Sequence, residues 1–163
     1  FFYRLWEIPI VVAMLLFGFK IANFVGILNV IAQIILFPIP AGILAYPWGF
    51  LAIFTMLIGI KIGKNIVGLK RIKDCKADNK KAILIITFFG ILIRVMIMPF
   101  IDFAVYNTLL PIALGRTFTM TYIFSLIPAI VAFNIIVPLY TIPVSYVISK
   151  RIVNNLKLDE ISV

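Results

Sequence analysis

The sequence predicts an all-α membrane protein that folds as one compact helical bundle. The 163 residues are 64% hydrophobic and have a mean hydropathy of +1.18, whereas a soluble domain is about half apolar. Eight of the fifteen Lys and Arg residues fall between Lys61 and Lys81, and charge collects in this way when most of a chain lies in lipid. We therefore predict a single transmembrane domain over residues 1–163, with five transmembrane helices.

Proline, glycine and charge place the ends of these helices. Crossing a bilayer takes about 20 apolar residues, and proline ends a helix because it lacks the N–H and its ring clashes with the preceding turn. Gly18 and Lys20 form the first predicted turn, and Pro38 and Pro40 form the second. A basic loop is predicted at 64–81. The helices are predicted at about 8–18, 20–37, 45–63, 82–101 and 127–152.

The connection between the last two helices is predicted to be irregular. Residues 102–116 are expected to form an outer connection, with a helical extension as the alternative for part of it, and residues 117–126 are expected to form a broken apolar segment at the membrane interface. Pro128 suits the first turn of the last helix, and Pro138 and Pro143 are expected to kink it.

The distribution of positive charge predicts the orientation. Lys and Arg are enriched in cytoplasmic loops, which explains the net charge of +9 without a nucleic-acid partner. The basic loop and the C-terminus, with Lys150, Arg151 and Lys157, are then cytoplasmic. Because each predicted transmembrane helix takes the chain from one side of the membrane to the other, Phe1–Glu7 is then predicted to lie outside. A cytoplasmic N-terminus would require a further helix before residue 1. We predict that helix in the full protein.

The residue types present argue against an enzyme, a metal site and a bound cofactor. The chain has no His, so histidine catalysis and histidine metal ligation are excluded. Cys75 is its one cysteine, which gives neither an internal disulfide nor a paired metal motif. Gly59–Gly63 lies at the end of an apolar helix, not between a strand and a helix, so it is not a phosphate-binding loop.

Several polar residues fall inside predicted spans. Arg94 is expected to extend outward and pair with Asp102 or with a ligand, since ionisable residues at membrane depth are commonly functional; a purely structural ion pair is the alternative. Asn29 and Gln33 share a helix face and are expected to bond between helices. Thr55, Gly59 and Gly63 form a small-residue stripe that predicts close helix packing, within the protein in preference to a partner.

Aromatic and polar residues also gather at the ends predicted to face outward. Such a mixture fits a ligand pocket, which is mostly apolar with a few placed polar groups. The alternative for the tyrosines and tryptophans is an interfacial aromatic belt. The candidate ligand-binding residues are Glu7, Tyr46, Trp48, Asp102, Phe103, Asn107 and Asn134.

Three stretches resemble the substrate-binding S components of energy-coupling factor (ECF) transporters, closest to the riboflavin-specific branch. The first is Tyr3-Arg-Leu-Trp-Glu-Ile-Pro9 with the run to Phe17-Gly18. The second holds Arg94, Met98, Asp102-Phe103 and Leu110-Pro111. The third holds Ala132-Phe133-Asn134, Tyr146 and Lys150-Arg151. Their order along the chain agrees with the topology deduced above.

The resemblance implies a six-helix S-component fold whose first helix is missing from this chain. It implies a vitamin, most simply riboflavin, in an outward-facing pocket that involves Glu7, Trp48, Asp102 and Asn134. It also implies a membrane-embedded coupling protein and two cytoplasmic ATPase subunits as partners, besides the lipid. The chain departs from the family pattern at Arg4, Trp6, Asp102 and Val137, where the family has Asp, Ser, Asn and often Lys.

Two other functions stay open on the sequence. The stretch from Pro40 to Phe50 also resembles small transporters of queuosine precursors, although Phe54 and Ile58 stand where those proteins carry an Asp and a Glu. A non-transporting membrane scaffold is the second alternative, and it predicts no ligand pocket.

Overall fold

A computed structural model describes residues 5–37, 42–69, 80–108, 111, 115 and 119–156, with side chains from Tyr46 onward in the second of these segments. In this part of the chain the regular structure is entirely α-helical. The five helices are α1 (Glu7–Leu16), α2 (Phe19–Leu36), α3 (Gly42–Val67), α4 (Lys80–Asn107) and α5 (Met120–Leu156).

Four of these helices, α2 to α5, are long and apolar enough to cross a membrane. The first helix is apolar but shorter, so length and composition support four of the five predicted transmembrane helices. With 10 residues, α1 extends roughly 15 Å at 1.5 Å per residue, about half of a hydrocarbon core of roughly 30 Å.

Helices α3 and α4 pack closely because glycines remove the side chains between them. A Cβ atom at Gly59 would lie 2.8 Å from the Gly90 Cα, and one at Gly63 would lie 2.8 Å from the Ile86 Cα. Both separations are too short for real carbon atoms, so any larger residue would push the helices apart. The small-residue stripe therefore serves internal packing, as predicted.

Helix α2 lies at the edge of the bundle. Only 11% of its spanning window is buried, against 50% for α3, and its exposed side chains are large and apolar, which suits contact with lipid. The hydrogen bonds that were expected between helices are not among the described contacts of the polar residues of α2. Gln33 Nε2 donates to Asn29 Oδ1, and Asn23 Nδ2 donates to the Phe19 carbonyl, both within α2.

The last two helices are longer than predicted. Helix α4 continues to Asn107, and α5 begins at Met120, so the segment predicted as broken is helical from that residue onward. The first residues of α5 are mostly apolar, like the rest of the helix. Pro128, Pro138 and Pro143 lie inside it. At 37 residues, α5 is roughly 55 Å long and exceeds the thickness of a hydrocarbon core.

The antiparallel pairing of α3 with α4 gives the bundle two distinct ends. We call the end with Trp48, Asp102 and Tyr106 the aspartate end. We call the end with Lys61, Lys64, Lys80 and Lys81 the lysine end. Several predicted features lie outside the described residues, namely Tyr3, Arg4, Pro38, Pro40, Cys75, Leu110, Lys157 and the middle of the basic loop.

Candidate functional site

A cavity of about 390 Å³ lies at the aspartate end, between α3, α4 and α5. Its volume is within the range of roughly 300–1,000 Å³ that is typical of small-molecule pockets. Apolar and aromatic side chains make most of its wall, and two polar residues come from α4 and α5. The described residues that line it are Trp48, Ala52, Met98, Asp102, Tyr106, Leu126, Ala129, Ile130, Phe133 and Asn134.

Asp102 forms the acidic part of the cavity wall. Its side chain is 4% exposed, and its Oδ1 accepts a hydrogen bond of 2.7 Å from the Trp48 indole N–H. The Trp48 and Tyr106 rings meet edge to face, with centroids 5.8 Å apart. Helices α3 and α4 thus bring together a carboxylate and a pair of contacting aromatic rings, an arrangement suited to a flat ligand with a polar edge.

Asn134 forms the amide part of the wall, and Arg94 fixes its orientation. The Arg94 Nε donates a bond of 2.9 Å to Asn134 Oδ1, and because arginine has no acceptor, the amide oxygen must face it. Asn134 Nδ2 donates one hydrogen to the Ile130 carbonyl at 3.0 Å. The amide nitrogen carries a second hydrogen, so the amide offers the cavity a donor.

Glu7 neutralises Arg94 behind this wall. The two carboxylate oxygens of Glu7 lie 2.9 and 3.4 Å from the guanidinium nitrogens, and both side chains are fully buried. The Met56 sulfur lies 3.7 Å from the same guanidinium. Removing one partner from a buried pair typically destabilises a protein by about 3–5 kcal/mol. The ion pair therefore ties α1 to the support of the cavity.

The structure corrects the expected position and partner of Arg94. Its guanidinium does not extend outward but is 0% exposed, and it contacts Glu7 where a pairing with Asp102 was expected. Arg94 is 14 residues into α4, roughly 21 Å along its axis, so a charge there lies too deep to be hydrated. A carboxylate at the start of the short helix α1 supplies the missing counter-charge.

The predicted ligand-binding residues divide into two groups. Trp48, Asp102 and Asn134 line the cavity. The other four are not among its described lining: Glu7 acts through Arg94, the Tyr46 hydroxyl donates to the Phe37 carbonyl, Phe103 packs on Phe124, and Asn107 donates to the Phe103 carbonyl.

Sequence reasoning missed most of the apolar wall. Leu126 lies in the segment that the sequence predicted as broken, whereas Ala129 and Ile130 lie in the helix predicted at 127–152. In the continuous helix α5, Leu126 stands about two turns before Asn134, and Ala129 and Ile130 stand about one turn before it. Tyr106 was not among the predicted ligand-binding residues, but it lines the cavity and its ring contacts Trp48.

The groups that line the cavity are suited to binding a small molecule. Two aromatic rings, an apolar floor, a carboxylate and an amide donor can hold and orient a planar molecule with hydrogen-bonding edges. The described residues contain no group of His, Cys, Asp and Glu that could hold a metal ion.

The chain was also compared with known proteins. No family model, no curated protein and no solved structure matches it.

Proposed function

We propose that this protein is the vitamin-binding S component of an ECF-type uptake transporter. Its ligand is riboflavin or a vitamin-like molecule of similar shape, held in the cavity at the aspartate end. The basic loop and the C-terminus face the cytoplasm of the cell in whose membrane the protein lies. A membrane-embedded coupling protein and two ATPase subunits supply the energy, as the resemblance of the sequence implies.

One observation carries the proposal. Trp48, Asp102 and Asn134 come from three helices, and the resemblance implicated each of them in vitamin binding. All three line one cavity of about 390 Å³. Asp102 and Asn134 are buried, and hydrogen bonds from Trp48 and Arg94 hold their side chains in place. Little side-chain entropy is therefore lost when a ligand binds.

The orientation follows from the charges at the two ends. Exposed lysines such as Lys61, Lys80 and Lys81 belong to the opposite end from Asp102, and the excess of Lys and Arg favours the cytoplasmic side. The cavity then opens away from the cytoplasm, which suits capture of a nutrient from outside.

The two alternatives are less well supported. A scaffold without a ligand gives no reason for a cavity walled by an ordered carboxylate and amide. A queuosine-precursor transporter would need acidic residues at 54 and 58, but Phe54 packs against the rings of Phe19 and Phe50, at centroid distances of 5.8 and 6.3 Å. That position therefore belongs to the packing of α2 on α3.

A thermal-shift screen of the purified protein in detergent tests the proposal. The panel contains riboflavin, other vitamins, nucleobases and queuosine precursors. We expect riboflavin or another vitamin to raise the melting temperature, because a ligand at 100 times its Kd stabilises the folded state by about 2.7 kcal/mol. A shift with a queuosine precursor alone would favour the first alternative, and no shift with any compound would favour the scaffold.

A further inference from the structure

Arg94 connects the first helix of the bundle to the wall of the cavity at the aspartate end. It lies on α4, its Nε donates to Asn134 on α5, and its terminal nitrogens contact Glu7 on α1. Arg94 and Glu7 are fully buried, and neither is among the described residues that line the cavity. A change at Glu7 can therefore alter the wall without removing a contact to a ligand.

The amide of Asn134 has one favourable orientation while Arg94 is in place. An asparagine side chain carries an acceptor oxygen and a nitrogen with two hydrogens. In the observed orientation, the oxygen accepts from Arg94 at 2.9 Å and the nitrogen donates to the Ile130 carbonyl at 3.0 Å. A turned amide would oppose donor to donor and acceptor to acceptor. Asn134 is 3% exposed, and unpaired polar groups are costly away from water.

Glu7 holds the guanidinium in the position that this orientation requires. Arginine has five N–H donors in a rigid planar fork. Glu7 accepts from both terminal nitrogens, at 2.9 and 3.4 Å, and the Nε–H is then directed to Asn134. A rotated guanidinium would lose this two-point contact, which is the stronger kind of ion pair. The carboxylate on α1 therefore positions the guanidinium, and the guanidinium positions the amide.

We infer that the Glu7–Arg94 pair sets the ligand specificity of the cavity. It keeps the oxygen of Asn134 engaged, so the amide offers a ligand an N–H donor and no acceptor. The site then selects a ligand that has a hydrogen-bond acceptor, such as a ring carbonyl oxygen, opposite Asn134. Glu7 and Arg94 are positioning residues, because they act on the ligand only through this amide. The inference rests on the proposed function, since it requires a ligand in this cavity.

Burial makes this selection effective. A ligand without an acceptor at this point leaves a buried N–H unpaired, and an unpaired donor costs more than a hydrogen bond contributes on balance. Sites that hydrogen-bond their substrate reject analogues that lack the bonding group for this reason. Riboflavin meets the requirement because its ring carries two carbonyl oxygens. Replacing either oxygen by sulfur keeps the shape similar and weakens the acceptor.

Titration of the purified full chain with riboflavin and with its two thio analogues tests the inference. The first test variant is Arg94→Met with Glu7→Gln, which frees the amide and leaves no ionised group stranded. The second is Asn134→Asp, which keeps an oxygen for the Arg94 Nε and replaces the N–H donors by oxygen. Met56→Leu is the matched control, because it changes the other side chain in contact with the guanidinium and nearly conserves volume.

We expect the wild type and Met56→Leu to bind riboflavin about fivefold more tightly than the weaker-binding thio analogue. This preference should fall below about twofold in the double variant, and Asn134→Asp should bind riboflavin about tenfold more weakly than the wild type does. Circular dichroism checks that each variant is folded. An ion pair that serves stability alone would lower the melting temperature of the double variant and leave the preference unchanged.

Three results would overturn the inference and leave the proposed function intact. They are wild-type binding without a preference, an unchanged preference in the folded double variant, and wild-type affinity for riboflavin in folded Asn134→Asp. The last of these applies even if the double variant does not fold. Failure of the wild type to bind any of the three flavins would count against riboflavin as the ligand in the proposed function, and would overturn this inference with it.

Discussion

The two ends of the bundle use charge in opposite ways. At the aspartate end, charged side chains are buried and contact one another or an aromatic N–H: Arg94 pairs with Glu7, and Asp102 accepts from Trp48. At the lysine end, Lys61 is exposed, and its Nζ lies 4.9 Å from the centroid of the Phe19 ring. The first arrangement orders a site for a mostly neutral molecule. The second leaves a lysine in contact with solvent.

Depth in the membrane explains the difference. Ionised groups far from water are stable only when paired and hydrogen-bonded, so Arg94 needs Glu7. Lys61, near the end of α3, is exposed, and a long charged side chain in that position can reach hydrated surroundings. A positive charge is therefore buried and paired at one end and exposed at the other.

The largest expected effect comes from breaking the buried ion pair. Arg94→Met leaves the Glu7 carboxylate buried without its partner, and we expect the free energy of unfolding to fall by about 3–5 kcal/mol. Denaturant or thermal unfolding in detergent measures it. The double variant Arg94→Met with Glu7→Gln should recover part of the loss, because no ionised group is then stranded.

Lys61→Gln is the control at the other end. An exposed lysine outside such a network should change the unfolding free energy by no more than about 0.5 kcal/mol. If Arg94→Met were no more destabilising than Lys61→Gln, the two ends would not differ as described.

A smaller loss of unfolding free energy is expected from overpacking the contact between α3 and α4. Gly59→Ala places a Cβ against the backbone of Phe89 and Gly90, and overpacking of this kind destabilises by about 1–3 kcal/mol. Gly26→Ala is the matched control, because the three atoms nearest to its Cβ would all belong to the Phe50 side chain, which can shift more easily than backbone. Unfolding curves that rank Gly26→Ala as the more damaging change would contradict this packing.

The helices of this protein could be predicted from hydropathy, but the contacts between them could not. Spans such as 20–37 follow from continuous apolar runs bounded by Gly and Pro. The pairing of Arg94 with Glu7 joins residues 87 positions apart, and no local pattern indicates which carboxylate a buried guanidinium will reach. The nearer Asp102, on the same helix, was the natural choice and was wrong.

Some residues of the candidate site could be predicted from the sequence, and others could not. Trp48, Asp102 and Asn134 stand out because polar and indole groups are rare in apolar helices. Ala129 and Ile130 carry no signal, since an apolar residue facing a cavity has the same composition as one facing lipid.

The smallest effects are expected at buried hydroxyls toward the lysine end. Thr141 and Ser149 are fully buried, and within the described part of the chain their hydroxyl oxygens have no hydrogen-bond partner. Thr141→Val and Ser149→Ala should therefore leave the unfolding free energy unchanged or slightly raised, because a buried polar group without a partner is itself unfavourable. Ser145→Ala serves as the contrast, since its hydroxyl donates to the Ile8 carbonyl at 3.2 Å; it should lose about 1 kcal/mol. A larger loss for Ser149→Ala than for Ser145→Ala would show that the Ser149 hydroxyl has a partner.

Titration of riboflavin into the wild type and into Asp102→Ala and Asn134→Ala tests the central claim most directly, with binding followed by the quenching of flavin fluorescence. We expect saturable binding to the wild type and a loss of affinity of at least about tenfold in each variant, as for removal of a hydrogen bond worth about 1.4 kcal/mol or more, with circular dichroism unchanged. Wild-type affinity in both folded variants would show that the ligand binds elsewhere than in the cavity at the aspartate end.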